Sequence, residues 1–170
     1  ILMHIPSKNN MICLYIGAAG FLVGHIFYVA AFVNGAKSLV ADYKFFTAPE
    51  FIVFLGVYIA FLLMLKPVFK FNFDSKFLQY GLYLYGLFLV GMLFKVIGFA
   101  ITYLKFGAGN NLISAIILIV AGFSFFISDL TLGIRLLGGR KDSKFIKSLS
   151  LNTYFIAQLL LSTSILFIKA

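Results

Sequence analysis

The chain has 170 residues, of which 62% are hydrophobic and 11% are charged. A soluble domain averages about a quarter charged residues, so this composition excludes a soluble globular protein and indicates an integral membrane protein. The net charge of +9 does not indicate nucleic-acid binding, because the basic residues are spread through the polar connections instead of forming one basic surface. Cys13 has no second cysteine to pair with, which excludes a disulfide framework and a zinc-finger pattern.

Five apolar runs separated by polar connections predict an all-α, polytopic bundle of about five transmembrane helices. We place the spans at about residues 11–33, 51–65, 77–104, 112–137 and 151–168. Pro67 follows Lys66 and is expected to end the second helix, because proline lacks the backbone donor that a helix needs. Residues 1–170 are therefore expected to form one transmembrane domain with no room for a second.

The basic residues in the connections predict the orientation. The leading segment, the second connection and the fourth connection hold most of them: Lys8, Lys66, Lys70, Lys76, Arg140, Lys141, Lys144 and Lys147. The opposite side holds Lys37, Lys44, Lys105 and Lys169. The positive-inside rule then places the first set in the cytoplasm and the C-terminus outside. The expected location is a multi-pass position in the cell membrane of a bacterium or an endomembrane of a eukaryote.

The first span contains one histidine. His25 fits either a hydrogen-bonding contact between helices or a proton donor and acceptor. Tyr28 lies three residues further on, so the two side chains share a helical face. Gly17, Gly20 and Gly24 follow one another at steps of three and four residues, and Gly24 is next to His25. We expect these glycines to let another helix approach closely.

Asp129 is the only acidic residue inside a long apolar run. An ionisable group at membrane depth is costly and marks a functional site by default. Gly122, Asp129 and Gly133 share one face of the fourth span, so the glycines are expected to leave a cavity beside the carboxylate. The alternative is a structural ion pair between Asp129 and either Lys95 or Arg135.

The last span carries a polar stripe. Tyr154, Gln158 and Ser162 follow at four-residue steps, so this face is expected to contact protein or water and not lipid. Bundling it with the polar faces of the first and fourth spans predicts a small polar cavity within the membrane.

These residues together resemble the YhhN-type lysoplasmalogenase family of multi-span membrane vinyl ether hydrolases. The resemblance rests on a His-x-x-Tyr in the segment Gly20–Phe32, a Gly-x5-Ser-Asp in Ala121–Asp129 and a Tyr-x3-Gln in Tyr154–Gln158, in that order. It covers about Gly17 to the C-terminus. Family members are typically longer and carry an upstream Gly-Asp motif that is not found here, so we expect the N-terminal part of the family pattern to be missing.

The resemblance implies hydrolysis of the vinyl ether bond of lysoplasmalogens to a fatty aldehyde and a glycerophospho-alcohol. Vinyl ethers are cleaved by acid, and a carboxylic acid among apolar side chains keeps its proton more readily than one in water. The expected catalytic residues are Asp129, as general acid, and His25, which orients water or holds a second proton. The expected substrate-binding residues are Tyr28, Tyr154, Gln158 and Gly122.

The expected partners are the lysophospholipid substrate and membrane lipids, without nucleic acid, metal or cofactor. The small-residue faces also allow a homo-oligomer held by helix contacts. The alternative function is a small membrane transporter or interaction subunit that uses Asp129 for proton or helix coupling. Inverted repeats would favour a transporter, and the chain has only a short echo of Ala19-Gly20-Phe21 in Ala121-Gly122-Phe123.

Overall fold

The computed structural model describes residues 8–71, 73, 76–108, 111–137 and 143–167. These residues form five helices and no β-strand, which confirms the predicted all-α class. The helices are α1 (Lys8–Leu39), α2 (Ala48–Met64), α3 (Lys76–Phe106), α4 (Asn111–Leu137) and α5 (Lys144–Phe167). The basic residues Arg140, Lys141 and Lys169, which were used to predict the orientation, lie outside the described residues.

Three helices have segments long and apolar enough to cross a membrane: Ile16–Leu39 in α1, Lys76–Phe106 in α3 and Leu112–Arg135 in α4. The apolar helix α2 is shorter, at 17 residues. The fifth helix begins at Lys144, earlier than the predicted start at residue 151. The chain is therefore a membrane protein with a helical bundle.

The start of α2 is fixed by a capping box. Thr47 accepts a hydrogen bond from the Glu50 amide at 3.4 Å, and the Glu50 carboxylate accepts one from the Thr47 amide at 3.3 Å. These bonds satisfy two backbone donors that a helix leaves open at its first turn. Pro67 follows the end of the helix, where its missing donor prevents continuation.

The centre of the bundle is α3, which packs against α1, α2 and α4, whereas α5 packs on α4. Glycine allows two of these contacts to be close. A Cβ at Gly86 would lie 2.5 Å from the Phe61 ring on α2, and a Cβ at Gly122 would lie 2.3 Å from Val96 Cγ1 on α3. These two approaches tie α2 and α4 to opposite parts of the central helix.

Successive helices run in alternating directions, and α3 contacts both α1 and α4. Among the described residues, the α1 backbone comes close only to α3, and it reaches α4 and α5 through long side chains. Two reciprocal bonds join α4 to α5: Ser128 Oγ donates to the Ser150 carbonyl at 2.9 Å, and Ser150 Oγ donates to the Ser128 carbonyl at 3.1 Å. These two bonds fix the axial position of α4 relative to α5 at Ser128, the residue next to Asp129.

Candidate functional site

Asp129 and His25 meet in the interior of the bundle. Nε2 of His25 lies 3.2 Å from Oδ2 of Asp129, and each side chain is 1% exposed. Tyr85 on α3 donates its hydroxyl to the same Oδ2 at 2.5 Å. Three helices therefore contribute one polar side chain each to a single buried cluster, which we call the Asp129 cluster: His25, Tyr85 and Asp129.

The hydrogen bonds of His25 determine how protons are arranged in the Asp129 cluster. Nδ1 of His25 is 2.6 Å from the Phe21 carbonyl oxygen, which can only accept, so Nδ1 carries a hydrogen. Nε2 is close to Oδ2 but makes no aligned hydrogen bond. A neutral imidazole with its hydrogen on Nδ1 presents the lone pair of Nε2 toward Asp129, so one hydrogen on either Nε2 or Oδ2 would complete a bond between the two side chains.

An apolar groove of about 570 Å³ extends from Asp129. Its walls come from α1, α3 and α4, with Phe61 and Phe71 closing it, and its polar lining residues are Asp129 and Tyr85. His25 is not part of the lining and lies behind Asp129. The α1 wall, Gly17 to Ala19, is exposed, so the groove opens at the side of the bundle.

The polar stripe of α5 lies apart from this groove. Tyr28 on α1 donates to Gln158 at 3.0 Å, and Tyr154 packs edge-on against Phe125. Phe125 also makes edge contacts with His25 and with Tyr28, so its ring stands between them and fills the centre. The groove at Asp129 thus differs from the predicted polar cavity. Phe125 lies between His25 and Tyr28, and the groove is not lined by Tyr28, Tyr154 or Gln158.

The glycines take roles other than the expected ones. Gly122 packs against Val96 and does not line the groove, whereas Gly133 does. The described residues leave open space where a Cβ of Gly17, Gly20 or Gly24 would be, so the close helix approach predicted there is absent from the described part of the chain. Gly17 instead helps to form the open wall of the groove.

Lys95 does not pair with Asp129. It is buried and donates to Glu50 Oε1 at 2.8 Å and to the Phe45 carbonyl, with its ammonium 3.7 Å from the centre of the Phe46 ring. The structural alternative for Asp129 is therefore wrong for Lys95, and the polar neighbours of Asp129 are His25 and Tyr85 instead of Arg135. Sequence reasoning placed Glu50 in a polar connection, but it caps α2 and compensates a buried charge.

The Lys95 pair also holds the α1–α2 connection against α3. Tyr43 in this connection lies beside Glu50 and Gly98. Burial, followed by the nearby Glu50 carboxylate, raises the pKa of the Tyr43 phenol above its ordinary value, so Tyr43 remains protonated. Glu50 thus lies beside both Lys95 and Tyr43, and these three residues form a second polar cluster. This cluster lies toward the opposite end of α3 from the groove.

Sequence reasoning missed Tyr85. The residue lies nine residues, or about two and a half turns, from the start of α3, where a tyrosine hydroxyl among apolar side chains needs a partner. That depth, in contrast to the tyrosines close to the helix ends, is the signal that could have identified it. Within the described part of the chain, no three His, Cys, Asp or Glu side chains gather as metal ligands would.

Comparison with known proteins gives one match. Searches of curated proteins and of solved structures find none. The model of the YhhN family matches residues 1–165, nearly the whole chain. The chain therefore belongs to the YhhN family.

Proposed function

We propose that this protein is a membrane hydrolase that cleaves the vinyl ether bond of lysoplasmalogens to a fatty aldehyde and a glycerophospho-alcohol. Membership of the YhhN family supports a hydrolase of this type. The observation that carries the proposal is a buried carboxyl group, with a histidine and a tyrosine hydroxyl beside it, at the wall of an otherwise apolar groove. Such a groove suits a lipid chain, because ligand sites combine apolar walls with a few fixed polar groups.

The chemistry begins with a proton from the His25–Asp129 pair. The proton adds to the alkene carbon further from the ether oxygen, and the remaining carbon and oxygen become an oxocarbenium ion. Water attacks that carbon and loses a proton to the pair, which restores its original state. The hemiacetal then collapses: its hydroxyl proton leaves, the glycerol oxygen takes a proton, and the carbon–oxygen bond breaks to release the aldehyde.

Each member of the Asp129 cluster has a distinct task in this reaction. Asp129 faces the groove and is the residue that transfers the proton to substrate. His25 lies behind it, with Nδ1 held by the Phe21 carbonyl, and accepts or returns the shared proton through Nε2. Tyr85 donates to Oδ2 and stabilises the carboxylate that forms when the proton leaves. The carboxylate also stabilises the nearby cation.

The apolar groove also bears on the alternative of a small transporter or interaction subunit. A carrier of polar solutes needs a polar pathway at membrane depth. The groove that reaches Asp129 has polar groups only at its inner end, and Phe125 fills the space between the Asp129 cluster and the stripe of α5. This arrangement favours a lipid substrate over a carried polar solute.

The test is Asp129→Asn, which keeps the size of the side chain but removes the transferable proton. General acid catalysis contributes about 10²–10⁴-fold, so aldehyde release from a lysoplasmalogen should fall by that factor. The matched control is Thr131→Val on the same helix. Thr131 is buried, and its hydroxyl bonds only to the backbone of its own helix, at Ile127 and Ser128, so this variant should keep its activity.

Two further comparisons complete this experiment. The saturated alkyl ether lipid should release no aldehyde, because it has no alkene carbon to protonate. Size-exclusion chromatography in detergent should show that Asp129→Asn elutes as the wild type does. Full aldehyde release by a well-folded Asp129→Asn protein would overturn the role of Asp129, and inactivity of the wild type would favour the transporter or subunit.

A further inference from the structure

A basic pocket of about 430 Å³ lies at the end of α2 and the start of α3. Its lining residues are Lys66, Lys70, Phe71, Phe73 and Gln79. Both lysines are exposed, and no carboxylate among the described residues forms an ion pair with either one. The pocket therefore presents two positive charges on the side of the membrane predicted to be cytoplasmic.

The turn that follows α2 places Lys66 and Lys70 at the same pocket. Lys70 has a φ of 54°, the left-handed region that favours glycine. Its amide donates to the Lys66 carbonyl at 3.1 Å, and the Phe71 amide donates to the Leu65 carbonyl at 3.0 Å. The bond from the Lys70 amide to the Lys66 carbonyl is that of a common helix ending, in which the residue just past the last turn takes the left-handed conformation.

The basic pocket adjoins the apolar groove through Phe71, which lines both. The Phe71 ring also lies 3.2 Å from the Cβ position of Gly133, on the groove wall one turn from Asp129. On the other wall, Gln79 precedes Tyr85 by six residues of α3. At 1.5 Å per residue this separation is about 9 Å along the helix axis.

That separation matches the spacing of two groups in the substrate class. In a lysophospholipid with a vinyl ether, seven bonds of about 1.5 Å join the alkene carbon that takes the proton to the phosphorus, a reach of roughly 9 Å in an extended chain. A lipid with its vinyl ether at Asp129 would thus place its phosphate near Gln79. Gln79 donates one amide hydrogen to the Tyr83 hydroxyl at 2.5 Å, and a side-chain amide has a second hydrogen to offer.

We propose that Lys66 and Lys70 bind the phosphate of the lysophospholipid headgroup, with Gln79 as an additional donor. The inference rests on the proposed function, since it takes the lipid in the groove as the ligand. Ammonium groups are effective phosphate ligands and need no fixed geometry. The basic pocket then selects lipids that carry a phosphate and sets the depth at which the vinyl ether meets Asp129.

The test compares binding of two uncleavable lipids by the full chain in lipid nanodiscs. One is a saturated alkyl ether lysophospholipid, and the other is the matching alkylglycerol without a phosphate. The variant is Lys66→Gln combined with Lys70→Gly, because glycine suits the left-handed backbone and preserves the turn. Lys147→Gln is the control, since Lys147 is also exposed and lies on the same predicted side.

The double variant should bind the lysophospholipid about tenfold more weakly, as expected for two partly exposed charge pairs, and should bind the alkylglycerol as the wild type does. The control should match the wild type with both lipids. Equal weakening for both lipids, or for neither, would overturn the proposal. Because neither lipid is cleaved, a failure of vinyl ether hydrolysis would leave this result interpretable.

Free phosphate is a second source of the same chemistry. Inorganic phosphate should displace little of the lysophospholipid, compared with a chloride solution of the same ionic strength. If the double variant lost binding of inorganic phosphate but bound the lysophospholipid as tightly as the wild type, the basic pocket would serve free phosphate. The headgroup assignment would then be wrong.

Discussion

At the scale of single residues, Asp129 depends on the two side chains that share its Oδ2 atom. Tyr85 donates to this oxygen at 2.5 Å, and His25 Nε2 lies 3.2 Å from it. As a proton leaves Asp129, the negative charge on the carboxylate grows and the bond from Tyr85 strengthens. In the proposed reaction, Tyr85 would therefore contribute more to the transition state than to the resting state, which is the condition for lowering a barrier.

Tyr85→Phe should lower the kcat of aldehyde release without preventing folding. A hydrogen bond to a charged group is worth about 1.5–3 kcal/mol, so kcat should fall by about tenfold to a hundredfold. Tyr80→Phe is the matched control, because Tyr80 is on the same helix and is exposed. Unchanged kcat in Tyr85→Phe, measured beside that control, would show that the hydroxyl has no part in the reaction.

His25 and Asp129 could be predicted because ionisable residues are rare in apolar runs. Tyr85 could not be selected in the same way, since tyrosines are frequent in this chain and most have other partners. The role of Glu50 was also hidden. Its position next to a polar connection gave no sign that Lys95, 45 residues further along, would need its charge.

At the scale of the helices, the approach of α4 to α3 places Asp129 beside Tyr85. One close contact in this approach is at Gly122, where Val96 occupies the space that a side chain would need. Asp129 lies about two turns further along α4, so a shift of the helix axes at Gly122 would move the carboxylate from its partners.

Gly122→Ala should lower the midpoint of thermal unfolding in detergent. The added methyl group would lie 2.3 Å from Val96 Cγ1, and overpacking of this kind costs about 1–3 kcal/mol. Gly56→Ala on α2 is the control, because that glycine is exposed and has nothing within 4 Å of its Cβ position. Alanine there should be neutral or slightly stabilising. Equal midpoints for the two variants would contradict the close contact.

The glycine patterns illustrate what sequence spacing can predict. Gly17, Gly20 and Gly24 have the spacing of a close helix contact, yet open space surrounds their Cβ positions. Gly122 makes such a contact, although its spacing is no stronger a signal. Spacing identifies a face of small residues, but the choice of the neighbouring helix depends on the packing of the whole bundle.

At the scale of the whole molecule, the alternating helices place the α1–α2 connection at one end of the bundle and the α2–α3 connection at the other. Lys44 belongs to the first end, whereas Lys66 and Lys147 belong to the second. The basic residues thus favour one end, and the positive-inside rule assigns that end to the cytoplasm.

Single cysteines can test this orientation in intact cells. In a Cys13→Ala background, Lys44→Cys should react with an impermeant thiol reagent added outside. Lys147→Cys should react only after the membrane is permeabilised, because its end of α5 is predicted to face the cytoplasm. Both positions are exposed, so burial would not explain a difference. The reverse labelling pattern would invert the topology.

The class of the fold follows from hydropathy. In apolar runs of this length, the backbone donors and acceptors can be satisfied within a membrane only by forming helices. The arrangement of the helices does not follow from it. The sequence could not indicate that α3 is the central helix, or that Phe125 fills the space where polar residues of three helices were expected to meet. Both features arise from contacts between residues far apart in the chain.

Under the proposed function, the exposed α1 wall at Gly17 to Ala19 determines the route by which a lipid substrate would reach Asp129. A groove that opens sideways receives lipids by diffusion within the bilayer plane instead of from the aqueous phase. The quantity that governs turnover is then the mole fraction of the substrate lipid in the membrane. Dilution by inert lipid would slow the reaction even when the total amount of substrate in the sample stays constant.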